Sequence, residues 1–408
     1  MHYIVAVIFM NKQHQSRGFN FALKGTKCAR THDQTRNSNM TARSSSASIN
    51  PARKKIQKIA MVAPSLDILG GQGVQAYDLS KALEREGFQV LFIAVNPRFP
   101  LGLGWLRRVP WLRTVLNQLL YVSSLSRLRQ VDNVHIFSAS YWSFLLAPVP
   151  AILAARLFGK RIILNYHSGE AGDHLSHWGR RVHPWLRMVD EIVVPSQYLQ
   201  RVFAEHGYQT RVIKNIINTS NFRYRKRQPL QPHLLSTRNL ESHYGVDNTL
   251  QAFAIFKKRC PDALLSIAGY GRERDRLQRW VAAQNLEGVR FVGRVEPEAM
   301  PQVYDQADIF LNSSTVDNQP VSILEAFAAG LAVVFTPTGD ILAMVCDKAT
   351  GLIVPHNDPQ AMSDAISQLL QYPQQTAQMT EAAREEVEKY TWGRVCDEWA
   401  RLYYQDQP

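Results

Sequence analysis

The chain has 408 residues, of which 45% are hydrophobic and 20% charged, so it is long enough for two domains that each bury a full core. Its net charge of +13 does not indicate a nucleic-acid-binding protein, because residues 1–58 contribute +10 and the rest of the chain is only weakly basic. The cysteines lie far apart without metal-binding spacing, which argues against a disulfide framework or a zinc site and suits a reducing, cytoplasmic compartment. They are Cys28, Cys260, Cys346 and Cys396.

Residues 1–57 are predicted to be a disordered basic extension. Residues 1–10 are apolar but too short to span a bilayer, and neither a basic region before them nor a small-residue cleavage pattern after them indicates a signal peptide. The following segment is polar, basic and serine-containing, so it cannot bury enough surface to fold. Translation from Met40, which would leave residues 1–39 unmade, and a basic membrane-binding arm are the alternatives.

A Rossmann-like domain is predicted over residues 58–222. Residues 59–63 form its first strand, and a turn containing Gly70, Gly71 and Gly73 leads into a helix. Tight turns account for most such glycines, so the signal alone is weak. The spacing is not that of a G-x-G-x-x-G fingerprint, which disfavours a nicotinamide dinucleotide site.

Residues 98–130 carry six arginines among tryptophans and leucines, and no acidic residue. This basic, aromatic and amphipathic pattern is typical of a helix that lies on an anionic membrane. A surface helix that packs its leucines on the sheet explains the same pattern, so the sequence supports peripheral membrane contact and ordinary packing equally.

Residues 141–159 contain one charge, Arg156, and their composition alone would allow a transmembrane helix. Pro148 and Pro150 interrupt the stretch, and strand-like runs flank it on both sides. We therefore predict the covering helix of a βαβ unit.

His167 lies in a polar loop directly after the predicted strand at residues 162–164. Ligands of open α/β sheets bind beyond the carboxyl ends of the strands, where a histidine can donate a hydrogen bond to a ligand hydroxyl. A lone histidine is more often incidental. Residues 212–217, which include Asn215, are predicted to be the last strand of this domain.

Residues 223–232 are basic and proline-containing without apolar periodicity, which is the composition of a hinge. A second Rossmann-like domain is predicted over residues 233–385, and its first strand leads to Arg238. Residues 386–408 contain an amphipathic last helix from residue 392 to residue 404.

The most informative stretch, residues 311–340, has the pattern strand, loop, helix, strand. Pro320 suits the first helical position, where its missing N–H costs nothing. The free N–H groups of the first helical turn and the helix dipole together make a site for a phosphate. These N–H groups belong to Val321, Ser322 and Ile323.

Two carboxylates flank this predicted phosphate site. Asp317 lies in the loop, eight residues before Glu325, which lies one turn into the helix. A pyrophosphate on the helix end would have one carboxylate near each of its substituents. An ordinary βαβ unit with a surface acid on each side explains the spacing equally well.

At these residues the sequence resembles the retaining glycosyltransferases of family 4. Their donor-binding signature is Glu, seven residues and Glu, followed by an Ala- and Gly-rich helix end and a Val-Val strand. Glu325 matches the second Glu, Asp317 stands where the first is usual, and Pro320-Val321 stands where Gly-Leu is frequent. The sequence EAFAAG at residues 325–330 also matches, and the resemblance extends over about residues 58–405.

The resemblance implies a GT-B fold, with two Rossmann-like doubly wound α/β domains facing across a cleft and a last helix that crosses back to the first domain. It implies an enzyme that moves a sugar, with retention, from a nucleotide-sugar donor held by the second domain. The acceptor would be a glycan or a lipid-linked molecule held by the first. No DxD motif is present where a metal for the sugar nucleotide is expected, so neither a metal nor another cofactor is predicted.

The resemblance also assigns residues of the first domain. Gly70, Gly71 and Gly73 would line the cleft near the donor phosphates. His167 would contact the sugar, and Asn215 matches the asparagine of an interdomain signature.

In the second domain, Arg238 and the N–H groups of Val321 and Ser322, preceded by Pro320, would hold the donor diphosphate. Asp317 would hold hydroxyl groups of the donor sugar, and Glu325 would bind the ribose. His167, Asp317 and Arg238 are thus the candidate catalytic residues by resemblance.

One departure from the family pattern affects the predicted activity. A Lys-Gly pair usually follows the arginine and completes a two-cation clamp on the diphosphate, but His243-Tyr244 precedes Gly245 here. A protonated His243, the hydroxyl of Tyr244 or a nearby arginine would substitute for the lysine, or activity would be lost. Two other functions therefore stay open: a non-catalytic relic that binds a nucleotide or a glycan, and a nucleotide-sugar epimerase.

Overall fold

The structure is a computed structural model that describes residues 57–67, 70–99 and 110–404. Residues 1–56 of the predicted extension lie outside the described residues. So do residues 100–109 of the basic aromatic segment, which contain Trp105, Arg107 and Arg108.

The first sheet has six parallel strands in the order β2-β1-β3-β4-β5-β6. Their bounds are β1 Lys58–Ala63, β2 Gln89–Ala94, β3 Asn133–Ser138, β4 Arg161–Tyr166, β5 Glu191–Val194 and β6 Arg211–Val212. Five of the six residues of β1 are fully buried, because helices cover both faces of a doubly wound sheet.

Seven helices accompany this sheet in the described residues. They are α1 Gly71–Arg85, α2 Pro110–Ser124, α3 Tyr141–Leu146, α4 Pro148–Leu157, α5 Ala171–His177, α6 Gly179–Leu186 and α7 Gln197–Glu205. The apolar stretch at residues 141–159 forms two short helices, since Pro148 begins a new one. In the part of the chain that the structure describes, no helix combines the length and the hydropathy that crossing a bilayer requires.

The second sheet also has six parallel strands, in the order β12-β11-β10-β7-β8-β9. They are β7 His233–Ser236, β8 Leu264–Ala268, β9 Val289–Gly293, β10 Ile309–Asn312, β11 Ala332–Phe335 and β12 Leu352–Ile353. The helices that follow β7 are α8 Val246–Arg259, α9 Arg274–Ala283, α10 Met300–Asp305, α11 Val321–Ala329, α12 Ile341–Met344, α13 Pro359–Gln371, α14 Pro373–Val387 and α15 Trp392–Tyr404. The doubly wound α/β fold class predicted from the sequence is confirmed.

Each sheet reverses its winding at one point. In the first sheet β1 pairs with β2 on one side and with β3 on the other, and in the second sheet β7 lies between β8 and β10. The loops that leave two such neighbouring strands diverge to opposite faces and open a crevice for ligands. Ligand sites are therefore expected after β1 and β3, and after β7 and β10.

The last helix, α15, packs on the first sheet although it follows the second sheet in sequence. Val395, Trp399 and Leu402 are buried in one core with residues of β1. The hydroxyl of Tyr403 lies 2.5 Å from His135 Nδ1, and both residues are buried.

Strand β6 is shorter than predicted, because it ends at Val212 rather than Ile217. Its continuation turns its backbone groups toward side chains: Gln75 Oε1 accepts the N–H of Ile216 at 2.9 Å, and Gln319 Oε1 accepts the N–H of Asn215 at 2.8 Å. A strand partner would have to compete with these bonds.

The segment predicted as a hinge, residues 223–232, is attached to the second domain. The Arg227 side chain is 1% exposed and forms an ion pair with Asp308 at 3.0 Å, and it also donates to three backbone carbonyls of that domain. A buried arginine needs such partners, so this part of the segment is fixed by its charge.

Candidate functional site

The predicted donor site lies at the switch point of the second sheet. Arg238 follows β7 by two residues, Asp317 lies in the loop after β10, and α11 begins at Val321. Neighbouring parallel strands deliver their following loops to one edge of the sheet, which is why residues far apart in sequence meet here.

Arg238 is fixed by three neighbours. Its Nη2 forms an ion pair with Asp317, its Nη1 donates to Ser322 Oγ at 3.2 Å, and its guanidinium carbon lies 4.3 Å from the centre of the Tyr244 ring. The side chains of the ion pair are 10% and 13% exposed, and Arg238 Nε is buried without a partner among the described residues. A partly desolvated cation with a spare N–H therefore lies beside the start of α11.

The direct pairing of Arg238 with Asp317 was not anticipated by the sequence. The resemblance gave them separate duties, with Arg238 on the diphosphate and Asp317 on sugar hydroxyls. In the structure the two opposite charges neutralise each other, which is the arrangement that lowers the cost of keeping both out of water.

The helix of the predicted donor site, α11, is called the donor helix below. Its start differs by one residue from the prediction. Pro320 is the residue before the helix, with φ −70° and ψ 116°, rather than its first helical residue. The N–H of Ile323 already donates to Pro320 O at 3.2 Å, so the prediction that it is free is wrong. The N–H groups of Val321 and Ser322 form no hydrogen bond with any described residue, and these two remain for an anion.

Glu325 lies one turn further along α11 in a poorly hydrated position. Tyr304 donates its hydroxyl proton to Glu325 Oε2 at 2.8 Å, and burial raises the pKa of the Glu325 carboxyl to about 7. The negative charge of Asp78, on α1 of the first sheet, contributes to this rise, and burial raises the pKa of Asp78 itself to about 6. The carboxylates of Glu325 and Asp78 thus repel each other although they belong to different domains.

The glycines of the first domain lie at the start of α1. Gly70 precedes the helix, and its carbonyl accepts the N–H of Gly73 at 3.1 Å. A Cβ added at Gly70 or Gly71 would meet no atom of the described residues within 4 Å, so those residues leave space above this turn. No hydrogen bond joins the turn to Arg238 or Asp317 within the described residues, which exclude residues 68 and 69 just before it.

His167 lies after β4, as predicted, but its ring faces the sheet. It stacks on Phe137 with ring centres 5.1 Å apart, and its Nε2 is buried without a partner in the part of the chain described. Burial lowers the pKa of His167 to about 3, so the imidazole is neutral. In this conformation it does not contact Arg238 or Asp317.

The loop that carries His167 nevertheless touches the loop between β10 and α11, residues 313–320, which we call the donor loop. A Cβ on Gly169 would lie 2.7 Å from the backbone oxygen of Asp317, and one on Gly339 would lie 2.2 Å from the same atom. Only glycine fits at these two positions, and φ of +59° at Gly339 adds a second reason for glycine there. The Asp317 backbone is therefore held between the two domains.

Sequence analysis missed Gln319, which connects the donor loop to the first domain. Its Nε2 donates to Pro195 O at 2.8 Å, its Oε1 accepts the N–H of Asn215, and its carbonyl accepts from Asn215 Nδ2 at 3.0 Å. Next to it, Ser196 Oγ donates to Asn318 Oδ1 at 2.6 Å. The only sequence signal for this contact was the pair of side-chain amides, Asn318 and Gln319, directly before Pro320.

Tyr244 occupies the place of the missing lysine without replacing its charge. Its ring packs on the Arg238 guanidinium, a cation–π contact. Burial, and then the charge of Arg238, lower the pKa of His243, so a protonated His243 is disfavoured as the second cation. The site thus has one arginine backed by an aromatic ring instead of two cations.

Among the residues that the structure describes, no cluster of three or more His, Cys, Asp or Glu side chains could hold a metal ion. The described cysteines, Cys260, Cys346 and Cys396, form no disulfide bond.

Comparisons with known proteins agree with this geometry. The family model for Glycosyltransferase Family 4 matches residues 69–221, and that for Glycosyl transferases group 1 matches residues 220–386. A D-inositol 3-phosphate glycosyltransferase from Corynebacterium urealyticum is 32% identical over 162 residues, a match that spans 38% of each chain.

Solved structures show the same fold. Sucrose-phosphate synthase from Thermosynechococcus elongatus superposes with a TM-score of 0.69 at 21% identity, covering 86% of this chain and 98% of that one. Anabaena HepE in complex with UDP and glucose gives a TM-score of 0.67 at 18% identity, covering 86% and 100%. With both halves matched and the GT-B architecture shared, this chain belongs to the glycosyltransferases of group 1 and family 4.

Proposed function

We propose that this protein transfers a sugar from a nucleotide-sugar donor to a glycan or lipid-linked acceptor, with retention at the anomeric carbon and without a metal. The observation that carries the proposal is Arg238, held beside the two free N–H groups of Val321 and Ser322 at the switch point of the second sheet. Fixed positive charge at this position matches the charge that develops on a leaving nucleoside diphosphate.

The ion pair with Asp317 gives donor binding a specific course. A diphosphate competes with Asp317 for Arg238 and brings more negative charge to the same guanidinium. Once released, the Asp317 carboxylate is free to accept hydrogen bonds from hydroxyl groups of the donor sugar. A phosphate oxygen of the leaving group takes the proton of the acceptor, so no side-chain nucleophile is required.

Glu325 binds the ribose of the donor. Ribose hydroxyls donate hydrogen bonds best to the charged carboxylate, and the pKa near 7 makes this contact depend on pH. The Tyr244 ring makes up in part for the missing second cation, because it restricts Arg238 to one orientation.

The acceptor is held by the first domain, and we propose that α2 brings that domain to an anionic membrane. Val115, Leu119 and Val122 are 50%, 64% and 47% exposed and recur at the spacing of one helical face. On the other side of the segment, Tyr121, Leu125 and Leu128 are buried against the sheet. The same segment therefore supports both packing and peripheral contact.

One alternative has support of its own. The neutralised Arg238 and the absence of the usual lysine would also suit a GT-B relic that binds a nucleotide or glycan without transfer. An epimerase would use the same nucleotide site but need no acceptor.

The deciding experiment is calorimetric titration of the protein with UDP, GDP and ADP, followed by transfer assays with the nucleotide sugar that matches. We expect one nucleotide to bind and Arg238→Ala to weaken it by roughly tenfold or more. Arg276→Ala is the control, because Arg276 forms exposed ion pairs on α9. A folded wild type that binds none of the three nucleotides would refute the proposal, and binding without any transfer would favour the relic.

A further inference from the structure

The switch point of the first sheet carries a group of aromatic side chains for which the donor chemistry has no use. It begins directly after β3, where the carbonyl of Ser138 accepts both Gln72 Nε2 at 2.7 Å and the N–H of His167 at 3.1 Å. The end of β3 therefore lies between the start of α1 and the His167 loop, in the crevice where the fold binds ligands.

Tyr141 is strained at this position. Its φ of 57° is in the left-handed region, which a bulky aromatic residue rarely adopts. Its hydroxyl donates to Asp173 Oδ2 at 2.6 Å, and its ring contacts His174 and Trp178 edge to face, with centres 5.3 and 5.6 Å apart. Strain of this kind persists where the surroundings hold a side chain in a required place.

Trp142 extends the same surface. Its ring meets Trp178 edge to face at 5.5 Å and 85°, and the two tryptophans and Tyr141 are each half-buried. The Arg181 guanidinium lies over the Trp178 ring, 5.0 Å from its centre, and the parts of the three half-buried rings that are left uncovered form a rigid, partly exposed aromatic surface.

Polar groups border the rings. His174 is fully buried, and its Nε2 has no partner among the described residues, while its Nδ1 lies 2.8 Å from the hydroxyl of Tyr166. Asp173 and Glu170 add carboxylates. Burial raises the pKa of the Tyr141 and Tyr244 hydroxyls, and the charge of Glu170 contributes to both rises. Gly169, next to Glu170 in sequence, packs against the backbone of Asp317, so this loop lies beside the donor site.

We propose that Tyr141, Trp142 and Trp178 form a platform that binds an uncharged sugar ring of the acceptor, with Asp173 and Glu170 accepting hydrogen bonds from its hydroxyls. The C–H face of a pyranose is apolar and fits an aromatic face, while its rim of hydroxyls needs acceptors. The Glu170 carboxylate repels a uronic acid or a phosphate at this subsite, and Asp173 contributes less because His177 Nδ1 lies 2.8 Å from its Oδ1. This inference rests on the proposed transferase function, because it treats the sugar as part of the acceptor.

The test measures binding of maltotriose, mannotriose, cellotriose and trigalacturonate, by saturation-transfer NMR with the matching nucleotide present. We expect at least one neutral trisaccharide to bind and trigalacturonate to bind at least tenfold more weakly. Trp142→Leu and Trp178→Leu should each weaken the binding of the neutral trisaccharide by tenfold or more and leave the nucleotide affinity unchanged. Trp142→Phe, which keeps an aromatic face, should retain most of the binding.

Trp392→Leu is the matched control, because Trp392 lies at the start of α15 and donates to Glu86, the residue after α1. Thermal melting of every variant identifies any loss of folding. Equal sugar binding by the two leucine variants and the wild type, no binding of any trisaccharide, or preference for trigalacturonate would overturn the platform. Nucleotide titration of the same samples tests the donor function separately, so the two proposals can fail independently.

Discussion

Asp317 sets the charge around Arg238 in the free protein. Its carboxylate lies on Arg238 and restrains the only cation that contacts the start of α11 among the described residues. The Arg238–Asp317 pair is therefore neutral in the free protein, and in the proposed mechanism a donor diphosphate replaces Asp317 on Arg238.

Asp317→Asn should separate binding from transfer. Removing the competing carboxylate should raise the affinity for a free nucleoside diphosphate by about threefold to tenfold, since Arg238 no longer has to change partner. Turnover should fall, because the proposed mechanism assigns this carboxylate to the hydroxyl groups of the donor sugar. Titration and initial rates on the same sample measure both, with Asp317→Glu as the control that keeps the charge. Weaker nucleotide binding in Asp317→Asn would contradict the exchange.

The Glu325 carboxyl should make both stability and binding depend on pH. Burial raises its pKa from 4.5 to about 7, so between these values the folded protein holds a proton that the unfolded chain has lost. The free energy of unfolding should therefore fall by about 1 to 3 kcal/mol as pH rises through this window. Nucleotide affinity should rise over the same range, as the ribose gains a charged acceptor.

Glu325→Gln should flatten both pH profiles, as measured by urea unfolding and by nucleotide titration from pH 5 to pH 8. Asp78, whose pKa is raised in the same direction, will leave a smaller slope. Glu381→Gln serves as the control, because this carboxylate is half exposed and pairs with Lys226 on the surface. An unchanged slope in Glu325→Gln would show that the proton resides elsewhere.

At the scale of elements, α2 presents two apolar faces. One packs on the first sheet and the other carries the exposed residues Val115, Leu119 and Val122. On α4, which contacts the turn after α2, Leu153 and Leu157 are also 46% and 79% exposed. Apolar side chains flanked by arginines and free of acids suit an anionic lipid surface.

Leu119→Asp should reduce sedimentation with vesicles that contain phosphatidylglycerol by about tenfold at low salt, because an apolar contact becomes a repelled charge. Leu264→Asp is the matched control: Leu264 is 47% exposed at the start of β8 in the other domain. If both variants sediment like the wild type, α2 does not contact the membrane.

Elements with long, regular patterns were predicted best. The last helix has the predicted bounds, Trp392–Tyr404, and the donor helix begins within one residue of its predicted start. Strand β6 was overestimated because the apolar run at residues 212–217 is used for contacts with Gln75 and Gln319 instead of a ladder.

The candidate site was predictable only as a set of loops. Strand ends and glycines placed Arg238, Asp317 and Glu325 at one edge, but no periodicity encodes a pair that is 79 residues apart in sequence. For the same reason Tyr304 and Asp78, which reach Glu325 from other elements, carried no signal of their own.

At the scale of the whole molecule, Gln319 ties the donor loop to the first domain. Gln319 and Asn215 are 5% and 7% exposed, so each hydrogen bond lost between them leaves a buried polar group unpaired. The relative position of the domains therefore depends partly on one side-chain amide next to the site.

Gln319→Leu should lower the free energy of unfolding by about 2 to 4 kcal/mol and reduce turnover more than nucleotide affinity, because the donor residues remain but the acceptor domain is less well placed. Small-angle scattering should detect a larger radius of gyration. Gln360→Leu, at an exposed amide that donates only to Asp364, is the control. If Gln319→Leu has the scattering and the turnover of the wild type, Gln319 does not fix the relative position of the two domains.

The position of α15 has a consequence for synthesis. One face of the first sheet is completed by Val395, Trp399, Leu402 and Tyr403, the last described part of the chain to leave the ribosome. Until then the nascent first domain exposes an apolar surface that includes β1, and its folding cannot finish before the second domain has been made. A ribosome that stops early would thus release a chain with two incomplete halves, which quality-control proteases and chaperones recognise, rather than one finished domain.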